Sequence, residues 1–232
     1  VLALNSGTIS DPAGNNATLT HSSVDNNSSY MVDTEAPTVD NFTMSDTELK
    51  IGDNATVTLE FSEPVCVSTS ECTRSQTNVA NPYFSNADIT IPNLNSGPRQ
   101  GVASGTLDNM TSDDNETWTG TFTPAINAED DNNSLSLGTG YTDLAGNNGP
   151  SATFSNYVVE TLAPTISGVV ITSATGVQNN FVNAGDVVTL TATFSESVIV
   201  DNASNNLTLT LALDSSNPNA TYTSGNNSTA LV

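Results

Sequence analysis

The run ATVTLEF, residues 55–61, sets Ala55, Val57, Leu59 and Phe61 at every second position, with Thr56, Thr58 and Glu60 between them. A period of two sends alternate side chains to opposite faces of an extended chain, so this stretch reads as a half-buried β-strand. A second run, DVVTLTATF at 186–194, repeats the pattern, and both continue into Ser-Glu, as EFSEPV at 60–65 and TFSESV at 193–198. On either side, Thr, Val and Ile alternate with polar residues, broken about every 8–12 residues by turns of Asn, Gly, Asp and Pro. No segment sustains a helical period. The chain is expected to be all-β.

Two similar linkers, DTEAPT at 33–38 and ETLAPT at 160–165, frame one unit. Within it the alternation predicts strands at 39–44, 55–62, 87–91, 101–107, 117–122, 134–137 and 153–159. Short strands at this spacing predict an antiparallel β-sandwich of immunoglobulin type. Trp118 is the expected large core residue, with Phe61, Phe122, Phe154 and Tyr157 around it, and 66–82 reads as an insertion. The opening stretch resembles the back half of a repeat and the closing stretch a front half. The expected organisation is therefore a C-terminal half-repeat at 1–32, a complete domain at 33–160 and an N-terminal half-repeat at 161–232, in tandem. Recurrence at a fixed period marks a modular array, so the chain reads as a segment of something longer.

Lys and Arg number 3 against 25 Asp and Glu, for a formal charge of -22. Such a surface repels nucleic acid and anionic membranes, and it favours divalent cations. The regular strands argue against reading the acidity as disorder. No run reaches the roughly 18 apolar residues of a membrane span. Cys66 and Cys72, in VCVSTSEC, have no neighbouring His and are too sparse for a zinc site. They read as a local disulfide worth about 2 kcal/mol, in an oxidising, extracytoplasmic compartment.

Nothing in the sequence points to catalysis. The one histidine, His21, lies in a Ser/Thr-rich stretch expected to face solvent. The acidic pairs Asp113–Asp114 and Asp130–Asp131 sit in Asn/Asp-rich stretches expected to be solvated turns. No glycine-rich phosphate loop stands between a strand and a helix. The chain is not expected to be an enzyme. Thirteen N-x-S/T sequons follow largely from the Asn-rich composition and mark only where a glycan is allowed.

The pairs EFSEPV and TFSESV, DPAGN at 11–15 and DLAGN at 143–147, and the two APT linkers together resemble the bacterial immunoglobulin-like repeats of giant cell-surface adhesins. That resemblance implies Ca2+ held between neighbouring domains. Hard cations want six to eight oxygens, most easily gathered where loops of adjacent domains meet. Asp33, Glu35, Glu63, Asp143 and Asn147 are the expected ligands at one junction. Glu160 and Glu196, with the counterparts of Asp11 and Asn15, are the expected ligands at the next. The alternative reading of D-x-A-G-N is a turn whose Asp and Asn bond their own backbone around a left-handed glycine; one Asp can serve both.

The reading that follows is a repeat segment of an extracellular adhesin or surface fibre, stiffened by inter-domain Ca2+. Its partners are neighbouring repeats or copies of the same protein, while any host or matrix ligand is met by regions outside this stretch. A second reading is a filament subunit in which the half-repeats complete one another between molecules. A third is a carbohydrate- or protein-binding module, for which Tyr83, Phe84 and Tyr141 are the candidate contact residues.

Overall fold

The computed structural model describes residues 7–18, 31–66, 83–201, 207–212 and 218–232. Between the linkers run β1 (Val39–Met44), β2 (Glu48–Lys50), β3 (Ala55–Phe61), β4 (Ile89–Thr90), β5 (Gly105–Leu107), β6 (Thr117–Pro124), β7 (Glu129–Leu137) and β8 (Ala152–Glu160). They form two four-stranded sheets, ordered β1-β3-β6-β5 and β2-β8-β7-β4. The period of two fixes which side chains meet: β3 buries Ala55, Val57, Leu59 and Phe61, and its register sets Leu59 opposite Trp118 and Ala55 opposite Phe122. The other sheet contributes Leu49, Leu135, Leu137, Tyr157 and Val159 to the same core. Burial of such side chains supplies roughly 1.5–3 kcal/mol each, against the entropy of ordering them.

Trp118, Phe61, Phe122 and Tyr157 are buried as expected, whereas Phe154 is half-buried against Phe42 beside the core. Phe84 and Tyr141 are not surface contacts. Both are buried, and they pack with Phe61 and Trp118 at ring-centroid distances of 4.8–5.7 Å. Their burial fills the end of the sandwich nearest the first linker, where Phe61 closes β3.

Every strand pair is antiparallel except β2 with β8, which run parallel with Leu49 opposite Val159. The Glu-Leu-Lys of β2 is too short to show a period, and it escapes a reading based on alternation. Asp130 and Asp131 lie in β7, not in a solvated turn. A bulge between Asp130 and Asn133 shifts the register with β8 and turns the Asp130 carboxylate inward. There it accepts hydrogen bonds from the backbone N–H of Asn95 and Asn132.

Beyond the second linker, β9 (Ile166–Thr175), β10 (Val187–Val198) and β13 (Ser228–Leu231) form a three-stranded sheet ordered β13-β10-β9. β11 (Thr208–Thr210) and β12 (Asn219–Thr221) pair as a separate two-stranded ribbon. Cys66 is buried and disulfide-bonded. Cys72, the rest of the insertion at 67–82, and His21 lie outside the described residues.

Candidate functional site

Three chain segments meet where the first linker enters the sandwich. The segment after β3 is tied to the turn between β7 and β8 by the bridge Val65–Asp143 and by Cys66 N–H donating to the Thr142 carbonyl at 2.8 Å. That bridge places Glu63 beside Asp143. The linker is tied to the same turn by Asn147, whose Nδ2 donates to the Glu35 carbonyl at 2.8 Å. Asp33 Oδ1 in turn accepts the Glu35 N–H at 3.1 Å. As a result Asp33, Glu63 and Asp143 each bring a carboxylate oxygen within 4.8 Å of the other two.

The turn at Asp143 is built as D-x-A-G-N requires. Oδ1 of the buried Asp143 accepts the N–H groups of Ala145, Gly146 and Asn147 at 2.7–2.8 Å, and Oδ2 accepts Asn147 Nδ2 at 2.7 Å. Gly146 takes φ 96°, a left-handed conformation that glycine alone adopts freely. The second copy of the motif folds alike: Asp11 accepts from Ala13 N–H, Asn15 N–H and Asn15 Nδ2, with Gly14 at φ 90°. These bonds favour the charged form and hold the Asp11 carboxyl below its ordinary range. The turn reading therefore holds for both motifs. In Asp143 it still leaves a lone pair on Oδ2, because a carboxylate offers about four acceptor sites.

Electrostatics distinguish this cluster from a satisfied turn. Desolvation raises the Glu63 pKa, and Asp143, Asp33 and Glu35 raise it further. All the charges acting on Glu63 are negative. Lys50, one of three basic residues in the chain, pairs with Asp53 at 3.6 Å before the opposite end of β3. Two oxygens that share one Ca2+ at about 2.3–2.6 Å lie at most about 5 Å apart, a separation that the three carboxylates meet. Glu35 acts on the cluster through its charge and its carbonyl, and Asn147 positions the linker.

The second linker repeats the hydrogen bonds of the first. Thr38 N–H donates to Ser62 Oγ and Ser62 N–H to the Thr38 carbonyl; Thr165 N–H donates to Ser195 Oγ and Ser195 N–H to the Thr165 carbonyl. Glu160 Oε1 accepts the N–H two residues on, from Leu162, as Asp33 does from Glu35. Burial raises the Glu160 pKa, and Glu196 and Glu129 raise it too. Glu160 and Glu196 thus stand to each other as Asp33 stands to Glu63. Among the described residues, the group of three acidic side chains close enough to share an ion is the one at Asp33, Glu63 and Asp143, so Asp11 and Asn15 form their own turn apart from it. Glu129 was not anticipated, since β7 shows no apolar alternation until Leu135.

Two packed sheets with buried aromatics and hairpin-linked strands define an all-β sandwich of the immunoglobulin type. Residues 78–159, which take in β4 to β7 and nearly all of β8, match the bacterial Ig-like domain family, which supports a bacterial Ig-like domain over that stretch. Neither a curated protein nor a solved structure matches the chain. No helix among the described residues is long and apolar enough to cross a membrane.

Proposed function

We infer that the chain is a structural repeat segment of a long extracellular surface protein, an adhesin or fibre, with junctions stiffened by Ca2+. The observation that carries this reading is the meeting of Asp33 from the linker with Glu63 and Asp143 from the sandwich. An ion held by all three fixes the linker to the domain and offsets the repulsion among them. The role is mechanical rather than enzymatic: the units 1–32, 33–160 and 161–232 serve as parts of an array, and adhesion itself belongs to other regions. A Cys66–Cys72 bridge, closing the loop after β3, suits the same oxidising, extracellular setting. The reading as a binding module keeps only the half-buried Tyr83 of its three candidate contact residues, since Phe84 and Tyr141 are core residues.

Calorimetry of the full chain with Ca2+ tests the reading. Binding is expected in the range of extracellular modules, Kd of about 0.1–1 mM or tighter. Glu63→Gln should weaken one site about tenfold or more. A chain that binds no Ca2+ at several millimolar, or binds it unchanged after Glu63→Gln, overturns the junction role.

A further inference from the structure

The exit linker is fastened to the sandwich just past the end of β8. Its residue Thr161 is 4% exposed although its side chain is polar, while the residues that follow are half-buried or exposed. Backbone and side chain both engage the turn at 125–128, which carries the chain from β6 to β7. Thr161 N–H donates to the Ala128 carbonyl at 2.8 Å, its Oγ1 accepts the Ala128 N–H at 3.0 Å, and its hydroxyl donates to the Ala125 carbonyl at 2.5 Å. Ala128 is wholly buried, so its N–H has no access to water and relies on the threonine oxygen. Asn127, at φ 51°, supplies the left-handed step of this tight turn.

The turn is itself anchored further in. Ala125 N–H donates to the Ser104 carbonyl at 2.8 Å, and Ser104 Oγ shares a 2.7 Å hydrogen bond with the Tyr157 hydroxyl. Ser104 precedes β5 in one sheet, and Tyr157 lies in β8 of the other. A chain of hydrogen bonds thus runs from the linker through the β6–β7 turn to both sheets. None of its members is a carboxylate, so the arrangement needs no ion. Buried networks of this kind hold strongly only while every member is satisfied. The threonine recurs at the second position of both linkers, as Thr34 in DTEAPT and Thr161 in ETLAPT.

Force that reaches the domain through the exit linker meets this arrangement first. The last rung between β7 and β8 sets Glu129 opposite Glu160, and like charges placed opposite one another weaken a strand pair. Without Thr161 that rung would open first, and β8 would fray from its C-terminal end. The three bonds at Thr161 lie outside the rung and pass the load to a turn that joins the two sheets. We propose that Thr161 is a mechanical lock, which holds the end of β8 against fraying and spreads tension from the exit linker over both sheets. The proposal rests on reading the chain as a structural segment that carries tension, and it stands apart from the cation.

Pulling single molecules of the full chain by their ends, in chelator, tests the proposal. Thr161→Val keeps the shape and removes the hydroxyl, so it should lower the force at which the complete domain unfolds. Thr161→Ser keeps the hydroxyl and should restore most of that force. Gly149→Ala is the control for stability alone, because it disturbs the packing on Tyr141 at the other end of the sandwich. Per degree of melting temperature lost, Thr161→Val should lower the force more. Hydrogen exchange on the unmutated chain reads the lock without a variant: the amides of Ala128 and Thr161 should exchange as slowly as the slowest in β8. In Thr161→Val the Thr161-position amide and that of Ala128 should quicken about 2- to 12-fold relative to the rest of the domain. The proposal is overturned by a force that Thr161→Val leaves unchanged, by a loss no greater per degree than that of Gly149→Ala, or by no recovery in Thr161→Ser. Exchange at Ala128 and Thr161 that outruns β8 in the unmutated chain overturns it equally. Calorimetry reports on the ion separately: a chain that binds no Ca2+ yet shows the force loss keeps the lock and loses the cation-stiffened junction.

Discussion

Asn147 donates from Nδ2 to the carbonyl of Glu35 at 2.8 Å, joining the D-x-A-G-N turn to a linker 112 positions away in sequence. The same nitrogen holds Asp143 Oδ2, so one amide sets the distance between the turn and the linker that carries Asp33. Asn147→Ala removes that tie. A hydrogen bond of this kind contributes about 0.5–1.5 kcal/mol net, which corresponds to a loss of about 2- to 12-fold in Ca2+ affinity. Hydrogen exchange at Glu35 and Asp33 should quicken in parallel. Unchanged affinity and exchange would show that the linker is held by other contacts.

Asp143 serves the turn through its acceptors and, in the proposed Ca2+ junction, would serve the ion through its charge; two substitutions separate the roles. Asp143→Ala strands the part-buried N–H groups of Ala145 and Asn147, while Gly146 keeps the Asp143 carbonyl, and should cost about 1–3 kcal/mol. Asp143→Asn keeps an acceptor oxygen, and it should hold the fold while losing most Ca2+ binding. Urea unfolding and calorimetry on both variants read the two effects. Equal destabilisation by Asn and Ala would mean that charge, not the acceptor, holds the turn.

Glu63 gives the cluster a pH dependence of definite sign. Its pKa in the folded chain is raised, so its contribution to stability is present below the unfolded value and lost as pH rises through the folded one. In chelator at neutral pH, Glu63→Gln should therefore melt above the wild type, with the gap closing on acidification into the carboxylate range. With saturating Ca2+ the order should reverse, because the wild type binds the ion more tightly. A melting difference that is independent of pH in chelator would contradict the clustering.

Tyr157 and Ser104 share a buried hydrogen bond of 2.7 Å between their hydroxyls. Burial raises the Tyr157 pKa to about 12, so the phenol stays neutral at physiological pH. Tyr157→Phe leaves Ser104 unpaired and should cost about 1–3 kcal/mol. Adding Ser104→Ala should recover part of it, read as a shift in urea midpoint at constant slope. No recovery would show that the Tyr157 hydroxyl, rather than the pair, carries the effect.

Gly149 packs against the face of Tyr141. A Cβ there would lie 2.1 Å from the ring, which is itself fixed by its hydroxyl donating to the Pro150 carbonyl. Gly149→Ala should cost about 1–3 kcal/mol, visible as a lowered melting temperature. Gly168, with open space at its Cβ, is the control.

Much of the architecture was legible because alternation carries it: β1, β3 and β6 start where the period of two starts. What escaped was decided by tertiary contacts. β2 offers only Leu49 to the core, and β7 opens with Glu-Asp-Asp-Asn-Asn, a polar run that reads as a turn until β8 supplies its partner. The junction was legible in its residue types and their recurrence. Its geometry was not, because the meeting of Glu63 with Asp143 depends on a bridge between segments some eighty positions apart. Phe84 and Tyr141 illustrate the same limit: aromatics flanked by polar residues look exposed until the end of the core closes over them.

The parallel pairing of β2 with β8 bears on how the sandwich answers a pull along the chain. β2 lies near the N-terminal entry and β8 leads directly into the exit linker, and in a parallel pair those two ends point in opposite directions. Tension between the linkers slides the two strands past one another, so the bonds matching Glu48–Lys50 to Val158–Glu160 load in shear and must fail together. An antiparallel pair pulled from one end would instead peel open one bond at a time. Three residues that are inconspicuous in the sequence thereby add a shear-loaded contact between the entry side of the sandwich and its exit.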